Sequence, residues 1–527
     1  MSGPELPMGE ASLYLPDRRP RGKILDIDEV AAISEQLRRS GKRVVHCHGT
    51  FDLLHLGHVR HLEAASRLGD YLIVTVTADR FVNKGPGRPV FDSPARAEML
   101  ASLQFVDWVV INDSADAVSA IRRLRPDVYV KGQDYQHPEG DVTGKIILER
   151  QAVEEHGGSI HFTDEVTFSS TQLINQHVNV FEPHVRQHLD ALRYNGGLEK
   201  LVSLIEAVRD YRVLLVGDAI IDEYDYVVPM GKTPKENVIA TRYQDSEVFA
   251  GGVLAAANHI ASFCKEVEVI TCFGDSDDYS KVAQGSLHPN VTLRAFQRPG
   301  SPTTLKRRFV DPSRVAKLFE TYMINDEPLP VDLQQEVDRA ISERAADFDL
   351  VVVADFGHGL LAPSSVERLT GQGPRFLAVN AQTNTANLGF NLITKYRRAD
   401  YICIDAPEAR LAAHDRVSAV SDLASRLASD HIDCPRLIIT HGRNGCVTYE
   451  RGGISHTIPA FARRVVDTIG AGDAFFVVTA PLVAAGGTMQ QVGFIGNVVG
   501  ALKVEIVGHR QAIDKASLVK AITGLLK

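Results

Sequence analysis

The sequence predicts an α/β protein of two domains, the second carrying a small β lid. Three observations predict it. Short apolar runs of strand length alternate with helical stretches in two separate blocks, the pattern of parallel sheets covered by helices on both faces. The chain has 527 residues, enough for two to four domains at about 100–200 residues each. Each block also holds one Gly-containing turn placed to lead into a helix, the usual ligand position in open α/β sheets.

In chain order, residues 1–22 are Pro-, Gly- and Arg-rich and read as a mobile tail with no apolar signal-like core. A helix near Asp28–Ser40 leads into the strand Arg43–Cys47. Tyr71–Val76, Asp107–Ile111 and Asp127–Val130 are further strands, with helices at Gly57–Leu68, Ser93–Leu103 and Ala115–Leu124 between them. This first domain is set at 23–176, followed by a helical connector over 177–210. The second domain, 211–527, has strands at Arg212–Val216, Val267–Thr271, Leu350–Ala354, Phe376–Val379, Tyr401–Ile404 and Arg436–Thr440. Residues 225–246 and 303–323 are the candidate lid strands, and the last 60 residues are mostly helical.

Hydrophobic residues make up 44% and charged residues 23%, with a net charge of -9. That balance argues for a globular protein and against a nucleic-acid partner, which selects a basic excess. No apolar run approaches the roughly 20 residues of a membrane span. The six cysteines, Cys47, Cys264, Cys272, Cys403, Cys434 and Cys446, form no CxxC pair. Structural zinc is therefore not expected, and a reducing cytoplasm is.

The strongest local signal is GTFDLLHLGH, Gly49 to His58, between a strand and a helix. Gly49 and Gly57 permit close backbone approach to a ligand. His55 and His58, three apart, can face one way at the helix start. Two imidazoles there can donate to phosphate oxygens and stabilise charge developing on an α-phosphate. With Thr50, Phe51 and Asp52, this stretch resembles the cytidylyltransferase-like nucleotidyltransferases. Other stretches agree: a basic loop with Lys84, Arg88 and Arg96, the segment RPDVYVKGQDY with Lys131, and TFSSTQLI with Ser169, Ser170 and Thr171. The resemblance implies that these residues hold nucleoside triphosphate oxygens, with magnesium on the triphosphate. Asp52 organises either the loop or the magnesium-bound triphosphate.

The second signal is VVDTIGAGDAFF, Val465 to Phe476. Gly470, Ala471 and Gly472 run into a helix whose first N–H groups are free to neutralise a transferring phosphoryl group. Asp473 stands where it could accept a proton from an attacking hydroxyl, and Asp467 and Thr468 shape the turn. In full, the motif resembles the ribokinase-like (PfkB) carbohydrate kinases. Three other segments agree: VGDAIIDEY with Asp222, FAGGVLAAANHIA with Gly251, Gly252 and Asn258, and ADFGHGLL with Asp355. The resemblance assigns these to substrate, and Thr440 and Gly442 to the nucleotide. Two departures stand out. DAPE supplies Asp405 and Glu408 as metal candidates where the family often has Asn-x-x-Glu, and VNAQTNTANLGF has Gln382 and no lysine where sugar-phosphate kinases commonly read Asp-Pro-Lys.

Together the halves resemble the bifunctional heptose-phosphate kinase/heptose-1-phosphate adenylyltransferase family over nearly the whole chain after residue 40, with domain order reversed. VKGQDY is similar to a VKGGDY-type stretch of its adenylyltransferase half. The resemblance implies a Rossmann-like nucleotidyltransferase domain, a ribokinase-like kinase domain, Mg2+ with ATP, a sugar-phosphate substrate, and a homodimer or higher homo-oligomer. Two alternatives stand beside it: a CTP-using enzyme making a CDP-polyol with a coupled polyol kinase, and a chain in which one domain has become a ligand-binding scaffold.

Overall fold

The computed structural model describes residues 19–82, 88–132, 145–163, 181–194, 196–371 and 373–527. The chain divides into two units, Met1–Val180 and Phe181–Leu526.

The first unit is built on β1 (Val44–Gly49), β2 (Tyr71–Thr77), β3 (Trp108–Asn112), β4 (Val128–Gly132) and β5 (Ser159–Thr163). All pairs are parallel, in the order β3-β2-β1-β4-β5. The order reverses beside β1, and such a switch point leaves a crevice at the strands' carboxyl ends. The central strands are buried on both faces, which is why they read as continuous apolar runs. β5 was not predicted: at the sheet edge its residues alternate between exposed and half-buried, and SIHFT carries no apolar run. The helix Lys145–Glu154 before it was also missed. The helix Ile27–Arg39 starts where Asp26 and Glu29 form a reciprocal capping box.

The predicted tail is shorter than 1–22. Pro20–Lys23 is a short 3-10 helix. Lys23 is buried and donates to Leu103 O (3.1 Å) and Val106 O (2.7 Å), and Leu25 N pairs with Val109 O. A single buried ammonium satisfied by two carbonyls fixes this stretch, a tertiary effect that composition does not show.

In chain order, the second unit has β6 (Arg212–Gly217), β7 (Ala219–Lys232), β8 (Ile239–Gly252), β9 (Glu266–Gly274), β10 (Val291–Arg298), β11 (Thr304–Asp311) and β12 (Ala316–Met323). Then follow β13 (Leu350–Asp355), β14 (Leu377–Ala381), β15 (Tyr401–Asp405), β16 (Arg436–Thr440), β17 (Cys446–Glu450) and β18 (Ile454–Ile458). Among the described residues they form a nine-stranded sheet, β10-β9-β6-β13-β14-β15-β16-β17-β18, and a four-stranded sheet, β12-β11-β7-β8. The large sheet is parallel as far as β16 and antiparallel beyond it. The small sheet contains both predicted lid segments. It reaches further than predicted, because β7 begins at Ala219 and so carries Asp222.

The segment read as a connector belongs to the second unit. Its helices Pro183–Tyr194 and Gly197–Ala207 bury Val185, Leu189, Leu192, Leu201 and Ile205 in one core with β6 and the last helix. Arg193 also donates to Leu525 O at 2.7 Å. Five such side chains contribute roughly 10 kcal/mol of burial, far more than a solvated linker would gain.

Candidate active sites

In the first unit, β1 delivers the GTFD turn to the switch point. Phe51 adopts φ 48, and the absence of a side chain at Gly49 makes room for its ring: a Cβ at Gly49 would lie 3.0 Å from it. Asp52 is wholly buried; its carboxylate accepts from Arg88 Nη1 and Val90 N, both at 2.6 Å. Of the two roles open to Asp52, the geometry favours organising the loop. Arg96 is not on that loop. It lies on the helix Ser93–Ala101, fully buried, donating to Thr50 O, Phe91 O, Thr77 O and Asp79. It braces the turn from beneath instead of facing a ligand.

His55 is the N-cap of the helix Leu56–Ser66, its Nδ1 accepting from Gly57 N at 3.1 Å. The His55 and His58 rings stack with centroids 3.9 Å apart, and Phe51 packs its edge on His58 at 5.1 Å. The predicted pair is therefore brought together on one face at a helix N-terminus. Lys131 lies near the carboxyl end of β4 but is half of a buried ion pair with Glu149 (2.9 Å), so the site gains no net charge from it. Glu149 sits on the helix that sequence reading missed. Lys84, Ser169, Ser170 and Thr171 lie outside the described residues.

The sequence reading also passed over His46, His48 and His61. The two-residue period of β1 puts His46 and His48 on one face, and both bond Thr75 Oγ1 at 2.8 Å. His61 Nδ1 lies 2.7 Å from Thr163 Oγ1. Burial, and secondarily the Lys131 charge, pushes His46 down to about 3 and His61 down to about 4. Both are neutral near pH 7.

In the second unit, Gly470 caps the helix Ala471–Ala484 at φ +72, and Gly472 opens onto space. Asp467 holds the turn: its carboxylate accepts from Ile469 N (3.1 Å), Gly508 N (2.8 Å), Tyr224 Oη (2.7 Å) and Lys317 Nζ (2.6 Å). Burial alone would raise its carboxyl, but these donors hold it below the usual range. Lys503 is buried beneath and donates to Ile469 O (2.8 Å) and Gly508 O (2.7 Å). Asp473 accepts from Gln382 Nε2. Burial raises its carboxyl, partly offset by His509, Gln382 and Lys306.

Asp222 is buried. Arg308 donates to it, and His509 Nε2 lies 3.3 Å away. Burial opposes its charge, yet these two partners hold the carboxyl well below the carboxylate range. Gly251 is required here, because a Cβ would sit 2.0 Å from Asp222 Oδ2; Gly252 follows at φ +55. Asp355 is anchored by Tyr396 Oη (2.6 Å), Lys395 Nζ (2.5 Å), Asn391 Nδ2 and Gly357 N. All four of these partners come from the protein, so the carboxylate is braced in one orientation.

Asn258 is not brought to this site. Its amide donates to Ser286 O (3.0 Å) and accepts from His288 N (2.9 Å). On the helix Val253–Ala261 it lies more than a turn past the glycine pair, so proximity in sequence did not become proximity in space.

Asp405 and Glu408, the predicted metal candidates, stand at the start of the helix Ala406–Ala412. They form a capping box: Asp405 Oδ1 accepts from Glu408 N (2.7 Å), Glu408 Oε2 from Asp405 N (2.9 Å), and Glu408 Oε1 from Thr383 N (3.1 Å). Three of four carboxylate oxygens thus take backbone N–H groups. Burial and the Asp405 charge push the Glu408 carboxyl up to about 8. Among the described residues no group of three or more His, Cys, Asp or Glu could hold a metal ion. The sheet register does place Thr440 beside Asp405, and Gly442 follows in open space.

The fold and these turns define an α/β protein in which each unit carries a glycine-containing turn at a helix start. Residues 46–176 match the cytidylyltransferase-like family, and residues 211–516 match the pfkB family carbohydrate kinases. The chain belongs to the pfkB carbohydrate kinase family. It is 44% identical over 159 residues to the bifunctional protein HldE of Methylococcus capsulatus, covering 30% of this chain and 32% of that one. It is 41% identical over 156 residues to the bifunctional protein HldE of Campylobacter fetus, covering 29% and 31%. The chain thus spans about a third of the length of the curated relatives it matches. A putative ribokinase from Agrobacterium tumefaciens aligns over 60% of this chain and 98% of its own, at 19% identity and TM-score 0.47. No helix among the described residues is long and apolar enough to cross a membrane.

Proposed function

We propose that the chain catalyses two steps in making a nucleotide-activated sugar. The second unit phosphorylates a heptose-phosphate-like sugar with ATP. The first joins a sugar 1-phosphate to a nucleotide, forming ADP-heptose or a close analogue. The observation that carries the reading is the stacked His55–His58 pair at the switch point of a nucleotide-binding sheet.

In the kinase step the substrate hydroxyl gives its proton to Asp473 while its oxygen bonds the γ-phosphorus. The bond to the β–γ bridging oxygen breaks and ADP leaves, the Gly470–Gly472 turn neutralising the charge. The raised Asp473 carboxyl suits a proton acceptor better than a strongly acidic one would. Asp222 supports sugar hydroxyls. In the transferase step a sugar-phosphate oxygen attacks the α-phosphorus and pyrophosphate leaves. His55 and His58 donate to the α-phosphate oxygens, with Gly49, Thr50, Phe51, Gly57 and Arg88 shaping the cradle. Lys84, Ser169, Ser170 and Thr171 carry over from the family motif alone.

Families of this kind generally use Mg2+. The capping-box geometry of Asp405 and Glu408 does not fit a metal held by the protein, so magnesium enters here as part of the nucleotide substrate. The exposed apolar residues of the lid, among them Ile239, Tyr243, Phe319 and Met323, support pairing of two copies. Six free cysteines fit a reducing cytoplasm.

The test is pyrophosphate release by the full chain, with ATP or CTP, on heptose 1-phosphate and a panel of sugar and polyol phosphates. Release with ATP and heptose 1-phosphate, lost in His58→Ala, is expected. Release with CTP alone would replace this reading by CDP-polyol synthesis, and silence across the panel would reject the substrate class.

A further inference from the structure

We infer that His509 is a catalytic residue of the kinase unit, donating from Nδ1 to an oxygen of the phosphoryl group in transit. The inference rests on the kinase reading above and adds a residue to it. His509 comes from VGHRQAI near the C-terminus, a stretch that no motif singled out.

Three observations place it. The ring lies against the anion-binding turn: a Cβ at Gly470 would meet His509 Cε1 at 2.5 Å and Nδ1 at 3.3 Å. Its orientation is fixed by Asp222, 3.3 Å from Nε2. Its side chain is only 7% exposed, yet Nδ1 is buried with no hydrogen-bond partner among the described residues. An orphaned polar atom in such a position is costly, and a ligand oxygen at the turn would satisfy it.

Charge gives the reason for a donor here. Gln382, at the place of the family's lysine, is neutral and is bound to Asp473. The transferring phosphoryl therefore meets one cation fewer from that direction. An imidazolium donates from both nitrogens, Nε2 to Asp222 and Nδ1 to the phosphoryl. It returns a positive charge to the turn from the segment that follows the helix Met489–Lys503. The groups around it are the carboxylates Asp222 and Asp473 and the cations Arg308, Lys306 and Lys503. In the transfer His509 keeps its proton: Asp473 takes the hydroxyl proton, the new P–O bond forms, the bond to ADP breaks, and His509 offsets charge only.

The test compares His509→Asn with His509→Gln in the full chain, with Asp473→Asn as reference. The Asn amide nitrogen stands near Nδ1 and the Gln amide nitrogen near Nε2. If Nδ1 serves the phosphoryl, His509→Gln loses about 10²–10³-fold in kcat with KM for MgATP within twofold, and His509→Asn retains at least tenfold more activity than His509→Gln. If His509 only anchors Asp222, the order reverses or both variants keep the wild-type kcat, and the inference is overturned. Should Asp473→Asn transfer phosphoryl at the wild-type rate, the kinase reading itself fails and this inference with it. Histidine NMR with MgADP, then MgADP plus aluminium fluoride, gives a readout independent of substrate. The signal missing in His509→Gln must shift on adding the phosphoryl mimic, and a signal that stays put overturns the assignment.

Discussion

Replacing Asp52 with Asn should unfold the first unit at much lower denaturant, because Asp52 is one half of a buried charge pair. Its side chain is 0% exposed and that of Arg88 4%. The carboxylate accepts two bonds at 2.6 Å, one from the guanidinium and one from Val90 N. Asn keeps the shape and removes the negative charge that faces the guanidinium. Breaking such a pair costs about 3–5 kcal/mol, mostly the penalty of the charge left behind. With a urea m value of about 2 kcal/mol/M, the midpoint falls by about 2 M. The assay is built into the sequence: Trp108 is the only tryptophan and lies on β3, so its fluorescence reports the first unit alone. Arg88→Met should cost a similar amount, and Asp52→Asn with Arg88→Met together should cost less than the sum of the single changes, since neither charge of the pair remains. An Asp52→Asn penalty below about 1 kcal/mol, or strict additivity, would refute the argument that this ion pair holds the turn.

Acid should weaken the same unit through its buried histidines. Folding holds His46 down to about 3, so below the ordinary histidine value the unfolded chain binds a proton that the native state refuses, and stability falls with pH from about 6.5. His46 alone accounts for about 2 kcal/mol at pH 5. Trp108-monitored urea curves at pH 7 and 5 should show the loss, with a smaller slope in His46→Phe. Gly470→Ala should reduce phosphoryl transfer by at least about 10²-fold, because the new Cβ drives into His509 and the residue must hold φ +72; a wild-type rate would show that the turn does not bind the phosphoryl. Asn258→Ala should leave the sugar KM of the kinase unchanged while lowering the unit's melting temperature by a few degrees, consistent with loss of its two backbone bonds; a raised KM would return Asn258 to the substrate.

Much of the site was legible because its chemistry is local. Gly49 to His58 combines strand end, turn and helix start, and Val465 to Phe476 combines turn and helix start, each within a dozen residues, so spacing alone announces them. What stayed hidden arrives from afar. Arg308 reaches Asp222 through the parallel pairing of β11 with β7, Gln382 reaches Asp473 across 91 positions, and His509 enters from a segment with no motif at all. Charged residues carry the same ambiguity. Lys131 and Asp355 are charged residues at plausible places, but whether a charge faces a ligand or a protein partner depends on which side chain comes to meet it. Glu149 and Lys395 do so here. Asp405 and Glu408 show a related ambiguity: a spacing that suggests ligands is equally the spacing of a helix cap.

One carboxylate joins two parts of the second unit. Asp467 accepts Tyr224 and Lys317 from the small sheet and two backbone amides from the loops that frame the helix start. The small sheet and the turn at the helix start thus share a single keystone. Loss of this one carboxylate would release the small sheet and the helix start together.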